Sequence, residues 1–178
     1  MPWLLLGIHA AHDPRPAGSG LAGALIYGAA FVYFQHTTLV AIAEHGLVPT
    51  VQAARMTLAA DPGSLQGAVA AGILGAGPVI LGTSELCGKL LVEAARQVDA
   101  GGDPEAVALA LVREIRASGG KAPGFGHPVH KPVDPRAVRI LALADERGVS
   151  GRHVQMARRI EHAVAEVWGK PLVMNVSM

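Results

Sequence analysis

Apolar positions along the chain recur at helical spacing, and strong punctuation cuts them into short segments. From Thr50 to Ala60 a run of small and apolar residues ends at Asp61-Pro62, a pair that stops a helix, and Thr50 stands where an N-cap is expected. Ser64 opens a Gly- and Ala-rich helix to about Leu74. Ser84 then opens "ELCGKLLVEAARQV", with Leu86, Leu90, Ala94 and Val98 on one stripe and Glu85 four residues before Lys89. Asp103-Pro104 supplies a cap followed by proline at the first helical position, for a helix to Ser118 ahead of Gly119-Gly120. Asp134-Pro135 repeats the device, giving a helix to Arg147 with Gly148 as its terminator. Ser150 opens the last helix, whose Ala157, Ile160, Val164 and Val167 form a stripe ending at Gly169. Only "PLVMNVS", Pro171 to Ser177, has strand character. The pattern predicts an all-α fold without internal repeats or low-complexity linkers.

Composition narrows this. A chain of 178 residues fills one core or two small lobes. With 51% hydrophobic residues and only 4% aromatics, that core is built from small aliphatic side chains, which suits closely packed helices. The net charge of +1 conceals an asymmetry: Arg113 to Arg159 carries ten Lys and Arg against four Asp and Glu, whereas residues 1–112 carry four bases and eight acids. A basic second half favours anionic ligands. It has no interleaved aromatics, and this argues against nucleic acid as the partner. Cys87 is the only cysteine, so there is no disulfide framework, which fits a reducing cytoplasm. The opening "MPWLLLGIHAAHDPRP" lacks a basic n-region, and its apolar run is too short for a signal peptide. Pro16–Ala43 and Pro62–Ser84 carry no Asp, Glu, Lys or Arg and are long enough to span a bilayer. "QHTT" in the first, and six glycines with Gln66 in the second, favour buried helices instead, so no membrane partner is expected.

The chemistry concentrates in "PGFGHPVHKPVDPR", Pro123 to Arg136. Its prolines fix φ, so the loop loses little entropy on ordering, and Gly124 and Gly126 allow close backbone approach or positive φ. Arg136 falls in the first turn of a helix, where a cation opposes the macrodipole. Free backbone N–H groups beside an arginine fork suit a carboxylate, His127 is placed to donate to a substrate oxygen, and Lys131 to meet a phosphate. The bland alternative is a rigid interhelix loop with solvated cations. A metal site would need His127 and His130, three apart, with partners among His36, His45 and Asp134; no cysteine pair completes such a set, and no metal is expected. His9, His12, His153 and His162 read as surface or packing residues. No Gly-x-Ser-x-Gly, P-loop or Rossmann glycine pattern is present, which removes support for hydrolase, nucleotidase and dehydrogenase chemistry.

The same stretch resembles the signature of the citrate synthase superfamily, a Gly-aromatic-Gly-His loop followed by a basic residue and Asp-Pro-Arg. "AEHGLVPTVQAAR" (Ala43 to Arg55), "GILGAGPVILGTSE" (Gly72 to Glu85) and "PLVMNVSM" (Pro171 to Met178) resemble further family segments in the same order. The short length and "GFGHPVHKPVDPR" look closest to the citryl-CoA lyase branch, related to the C-terminal part of ATP-citrate lyase. The resemblance implies an all-α homodimer that joins an acyl-CoA to oxaloacetate, or splits citryl-CoA, at one carbon–carbon bond. No tightly bound cofactor is implied; the CoA thioester is a substrate. By the same resemblance His127 binds the oxaloacetate carbonyl and stabilises the developing alkoxide, Arg136 holds a carboxylate, and His45 also contacts that substrate. Gly124, Phe125, Gly126 and Lys131 are expected to meet CoA. Residues 1–83 would form part of a large lobe, 84–171 a small lobe closing on CoA, and 172–178 a return to the large lobe.

Two positions depart from the pattern. The family's second histidine, which supports the enol, falls at Ile80, and its catalytic aspartate falls at Ser177. Isoleucine donates no hydrogen bond, and a serine hydroxyl is a weak base for a thioester methyl. Glu85 and His130 are the candidates to act instead. The family continues past its "NV(D)" segment, so a fragment or variant is expected. The alternative reading is a non-catalytic relative that binds acyl-CoA or a dicarboxylate without the proton-transfer groups.

Overall fold

Prolines and aspartates set the helix starts in the computed structural model, which describes residues 32–33, 36–43, 46–78 and 82–178. Six helices follow in order: α1 Pro49–Ala60, α2 Leu65–Leu74, α3 Gly82–Asp99, α4 Pro104–Ala117, α5 Pro135–Glu146 and α6 Arg152–Trp168. Residues 36–41 are also helical, and among the described residues there is no extended strand, so the fold is all-α. Asp103 and Asp134 cap α4 and α5 as their Asp-Pro pairs predict: each carboxylate accepts a backbone N–H, from Ala106 and Arg136 respectively. Three other starts differ from expectation: α3 begins at Gly82 and takes Ser84 inside. Val48 rather than Thr50 occupies the N-cap of α1, because Pro49 takes the first helical position and draws Thr50 inside. Gly151 precedes α6, and Ser150 instead donates its hydroxyl to Asp145 Oδ1 (2.6 Å).

Contacts divide the chain into two units, residues 42–83 and residues 1–41 with 84–178. In the first, α1 and α2 pack as an antiparallel pair through small residues, with Gly72 against Ala54 and Gly75 against Thr50. Ala68 is the buried residue of this pair, and Met56, Leu65, Val69, Ile73 and Leu74 remain exposed within it.

The second unit holds the larger core. Leu90, Leu91 and Ala94 of α3, Val107, Ala108, Leu111 and Val112 of α4, and Met156, Ala157, Ile160, Ala163 and Val164 of α6 form one buried cluster. Phe125, Leu172 and Met178 pack against it, so the glycine-rich loop and the C-terminal segment rest on this core. The α3 stripe is rotated from the expected one: Cys87, Leu90, Leu91, Ala94 and Ala95 are buried, whereas Leu86 is 52% exposed. Ion pairs Arg159–Glu105 and Arg113–Glu166 join α4 to α6, and Arg152–Asp99 joins α6 to α3.

These pairings change the meaning of the basic second half. Among the described residues, six of its ten cations are in ion pairs, and Arg116 and Arg147 lie over the Trp168 and Tyr33 rings. Lys121 and Lys131 are the remaining two. The local excess of positive charge is therefore mostly spent on the fold, and the anion-binding argument narrows to the loop itself. Among the described residues no helix is long and apolar enough to cross a membrane. The greater part of Pro16–Ala43 lies outside the described residues, and in Pro62–Ser84 the helix α2 is only 10 residues long.

Candidate functional site

The loop between α4 and α5 is tied at its start to the C-terminal segment. Gly126 N–H donates to the Val173 carbonyl (2.7 Å) and Asn175 N–H to the Gly124 carbonyl (2.8 Å), an antiparallel bridge of Phe125 with Met174. The strand character of Pro171 to Ser177 is thus realised as a single rung. Asn175 adds side-chain ties in both directions: its Nδ2 donates to the Gly126 carbonyl (2.9 Å), and its Oδ1 accepts from Ser177 N–H (2.9 Å). Gly124 and Gly126 both have positive φ, +77° and +89°. Gly124 is buried against Cys87 and Met178, and Gly126 is exposed.

Beyond this anchor the loop turns back on itself. His127 Nδ1 accepts the backbone N–H groups of Val129 (3.1 Å) and His130 (2.9 Å). With Nδ1 accepting, the neutral ring carries its proton on Nε2. That edge faces Arg136, whose Nη2 lies 3.2 Å from His127 Nε2. The His130 ring stacks on His127 with centroids 4.4 Å apart and a 34° tilt. The Lys131–Pro132 bond is cis, and the Lys131 side chain is exposed.

Arg136 owes its position to Asp134. The buried carboxylate accepts Nε at Oδ1 (3.0 Å) and Nη2 at Oδ2 (2.8 Å), a two-point fork, while Oδ1 also caps α5. Burial pushes the Asp134 carboxyl up, but the Arg136 side chain, its backbone N–H and its charge, with His130 adding to them, hold it below 3.8. The cation at the start of α5 is therefore balanced by its own cap, and the His127–Arg136 pair presents donors only: the His127 Nε2–H and the guanidinium N–H groups. Two donors this close are complementary to one acceptor oxygen. His127, His130 and Asp134 also bring one ligand atom each within 4.8 Å of one another. Both Asp134 oxygens are held by a guanidinium, and that cation borders His127, so a divalent ion would meet an adjacent like charge. The arrangement suits an anion.

Residues 27–178 match the family described as Citrate synthase, C-terminal domain. The chain belongs to the citrate synthase family. Its fold is similar to that of citryl-CoA lyase from Hydrogenobacter thermophilus (TM-score 0.67, 29% identity over 82% of this chain and 54% of that one). ATP citrate lyase from Methanothrix soehngenii, in complex with citrate and coenzyme A, matches at TM-score 0.67 and 22% identity, over 83% of this chain and 23% of that one. ATP citrate lyase from Methanosaeta concilii, in complex with (3S)-citryl-CoA, matches at TM-score 0.64 and 22% identity. A comparison with curated proteins finds no match. The chain thus spans about half the length of the citryl-CoA lyase and about a quarter of the ATP citrate lyases.

Within this citrate synthase fold, the structure brings His127 and Arg136 together, with Gly124, Phe125 and Gly126 beside them on the bridged end of the loop. His45 and Ile80 lie outside the described residues. Ser177 is half-buried on the segment bridged to the loop, its backbone held by Asn175. Glu85 pairs with Lys89 on an exposed face (2.6 Å), as their four-residue spacing predicts. His153 is buried, a packing residue. Two contributors escaped the sequence reading. The sequence marks Asp134 as a cap and a possible metal partner, and only the fold shows its duty as the clamp of Arg136. Asn175 gave its signal only as part of the resemblance of "PLVMNVSM", without a role of its own.

Proposed function

We propose that the chain acts as a citryl-CoA lyase-type enzyme, breaking or forming the carbon–carbon bond between an acyl-CoA and oxaloacetate. The observation that carries this is the convergence of the His127 Nε2 edge on Arg136 at 3.2 Å, with Nδ1 committed to two backbone donors. In the proposed cleavage the C3 oxygen of citryl-CoA sits against His127 Nε2–H and gains negative charge as its proton leaves, before the bond breaks, and a fixed donor there stabilises it. Arg136, set by Asp134, holds a neighbouring carboxylate, and His45 contacts the same ligand. The segment Gly124–Phe125–Gly126, anchored through buried Gly124 and open at exposed Gly126, faces CoA, and the exposed Lys131 meets a CoA phosphate. The thioester is substrate, and no bound cofactor is required. We assign Ser84 to Pro171 as the lobe that closes on CoA, residues 1–83 and 172–178 to the large lobe, and a homodimer in the cytoplasm as the working form.

A second reading, binding without turnover, is favoured by Ser177 on the segment bridged to the loop, where the family pattern has its catalytic aspartate. One experiment separates them: incubation with citryl-CoA, following acetyl-CoA and oxaloacetate by mass spectrometry, against His127→Ala. Cleavage lost in His127→Ala supports the lyase. Citrate or CoA binding that Arg136→Ala abolishes, with no cleavage, supports the binder. Binding unaffected by Arg136→Ala overturns both assignments of this site.

A further inference from the structure

Cleavage of citryl-CoA needs a group that removes the C3 hydroxyl proton and a group that protonates the departing enolate. His127 is poorly suited to the first task. Its Nδ1 lone pair is occupied by the Val129 and His130 N–H groups, and its Nε2 already carries the proton. Taking up a further proton would place N–H against N–H and break both bonds. Asp134 has both oxygens on the Arg136 fork, Arg136 is permanently cationic, and Lys131 is a cation. Burial pushes the Cys87 thiol up to about 12, and a serine hydroxyl such as Ser177 needs a base of its own.

Among the described residues, one titratable side chain remains beside the His127–Arg136 pair. We infer that His130, stacked on the His127 ring, is the proton-transfer base of the site, an inference that rests on the lyase reading above. The His127–His130 turn places it: the His130 backbone N–H binds His127 Nδ1, and the ring lies at 4.4 Å with a 34° tilt. It is half-buried, so substrate and water both reach it. One nitrogen of each ring and one Asp134 oxygen lie within 4.8 Å of one another, a span that a single oxygen bridges with hydrogen bonds of about 2.8 Å. Imidazole takes and gives protons near neutrality, which is what a base and acid used in turn requires.

The step balances without another reactant. Neutral His130 takes the C3 hydroxyl proton, the oxygen's electrons form the carbonyl of oxaloacetate, and the bond from C3 to the thioester methylene breaks with its pair on the methylene. The imidazolium then returns the proton to that carbon, giving acetyl-CoA. The hydroxyl oxygen and the methylene are bonded to the same carbon, so one imidazole serves both. His127 holds the charge on the C3 oxygen until it becomes the carbonyl, and Arg136 holds the neighbouring carboxylate throughout.

The test uses the full chain with citryl-CoA and compares wild type, His130→Ala and His130→Asn. The expected result is a fall in kcat of about 10²–10⁴-fold in both variants, with KM within a few-fold of wild type and unchanged melting. Added imidazole should restore part of the lost rate to His130→Ala and none to His127→Ala. A merely structural role would not be rescued in this way. Wild-type turnover with His130→Asn within about threefold of it overturns the inference and leaves the lyase reading standing. Lost turnover without imidazole rescue also overturns it. No turnover by the wild type overturns both.

Discussion

Gly124→Ala tests how the loop is held. A Cβ at this position would lie 2.8 Å from Cys87 Sγ, 2.8 Å from Met178 Cβ and 3.2 Å from Met178 Cα. None of these atoms is the far end of a flexible side chain, so relief requires backbone movement of α3, the loop or the terminal segment. Crowding of this kind costs about 1–3 kcal/mol. The φ of +77° adds about 1–2 kcal/mol for a residue with a Cβ. Gly126→Ala separates the two contributions, because its φ is +89° but nothing lies within 4 Å of the added carbon. Gly126→Ala should therefore lose only the smaller amount, and Gly124→Ala about 2–5 kcal/mol in all. For a chain of this size that is a drop in Tm on the order of 10 °C. Urea and thermal denaturation followed by circular dichroism provide the measurement. Equal losses in the two variants, or a Gly124→Ala chain as stable as wild type, would refute the reasoning that this glycine is fixed by contact with Cys87 and Met178.

Other outcomes follow from Asp134 and Cys87. The folded Asp134 carboxyl is held below 3.8. Its ion pair therefore contributes fully above that value and is lost as pH falls through the lower folded pKa. Asp134→Asn should flatten the acid limb of a stability-against-pH curve and, on the proposed function, weaken citrate binding at neutral pH, because the guanidinium loses its fork; calorimetry that finds citrate affinity unchanged would count against the clamp. Cys87 is buried, and burial pushes its thiol up to about 12, so a disulfide reagent at pH 8 should label it only at the rate of unfolding. Rapid stoichiometric labelling of the native chain would show that the α3 face is open.

The elements were legible wherever one local rule decides them. Asp103-Pro104 and Asp134-Pro135 each combine a side-chain acceptor with a residue that has no N–H to lose, and both helices begin as read. Thr50 and Ser150 are weaker signals because proline at 49 and the hydroxyl's bond to Asp145 outcompete them. The α3 stripe was misplaced because its sequence is apolar on two adjacent faces, and only packing against α4 and α6 chooses Cys87 and Leu91 over Leu86. At the site, spacing brought out His127 and Arg136 but not the relation between them. That relation depends on a turn whose hydrogen bonds run from the main chain to an imidazole, with a buried aspartate that faces its own helix and its arginine at once. Neither interaction has a periodicity to read. The same limit applies to His130: the turn through Pro128 and Val129 that stacks the two rings has no periodicity either. Chemistry that follows from residue type was visible in the sequence, whereas which His127 nitrogen accepts main-chain N–H groups and which faces Arg136 follows only from the fold.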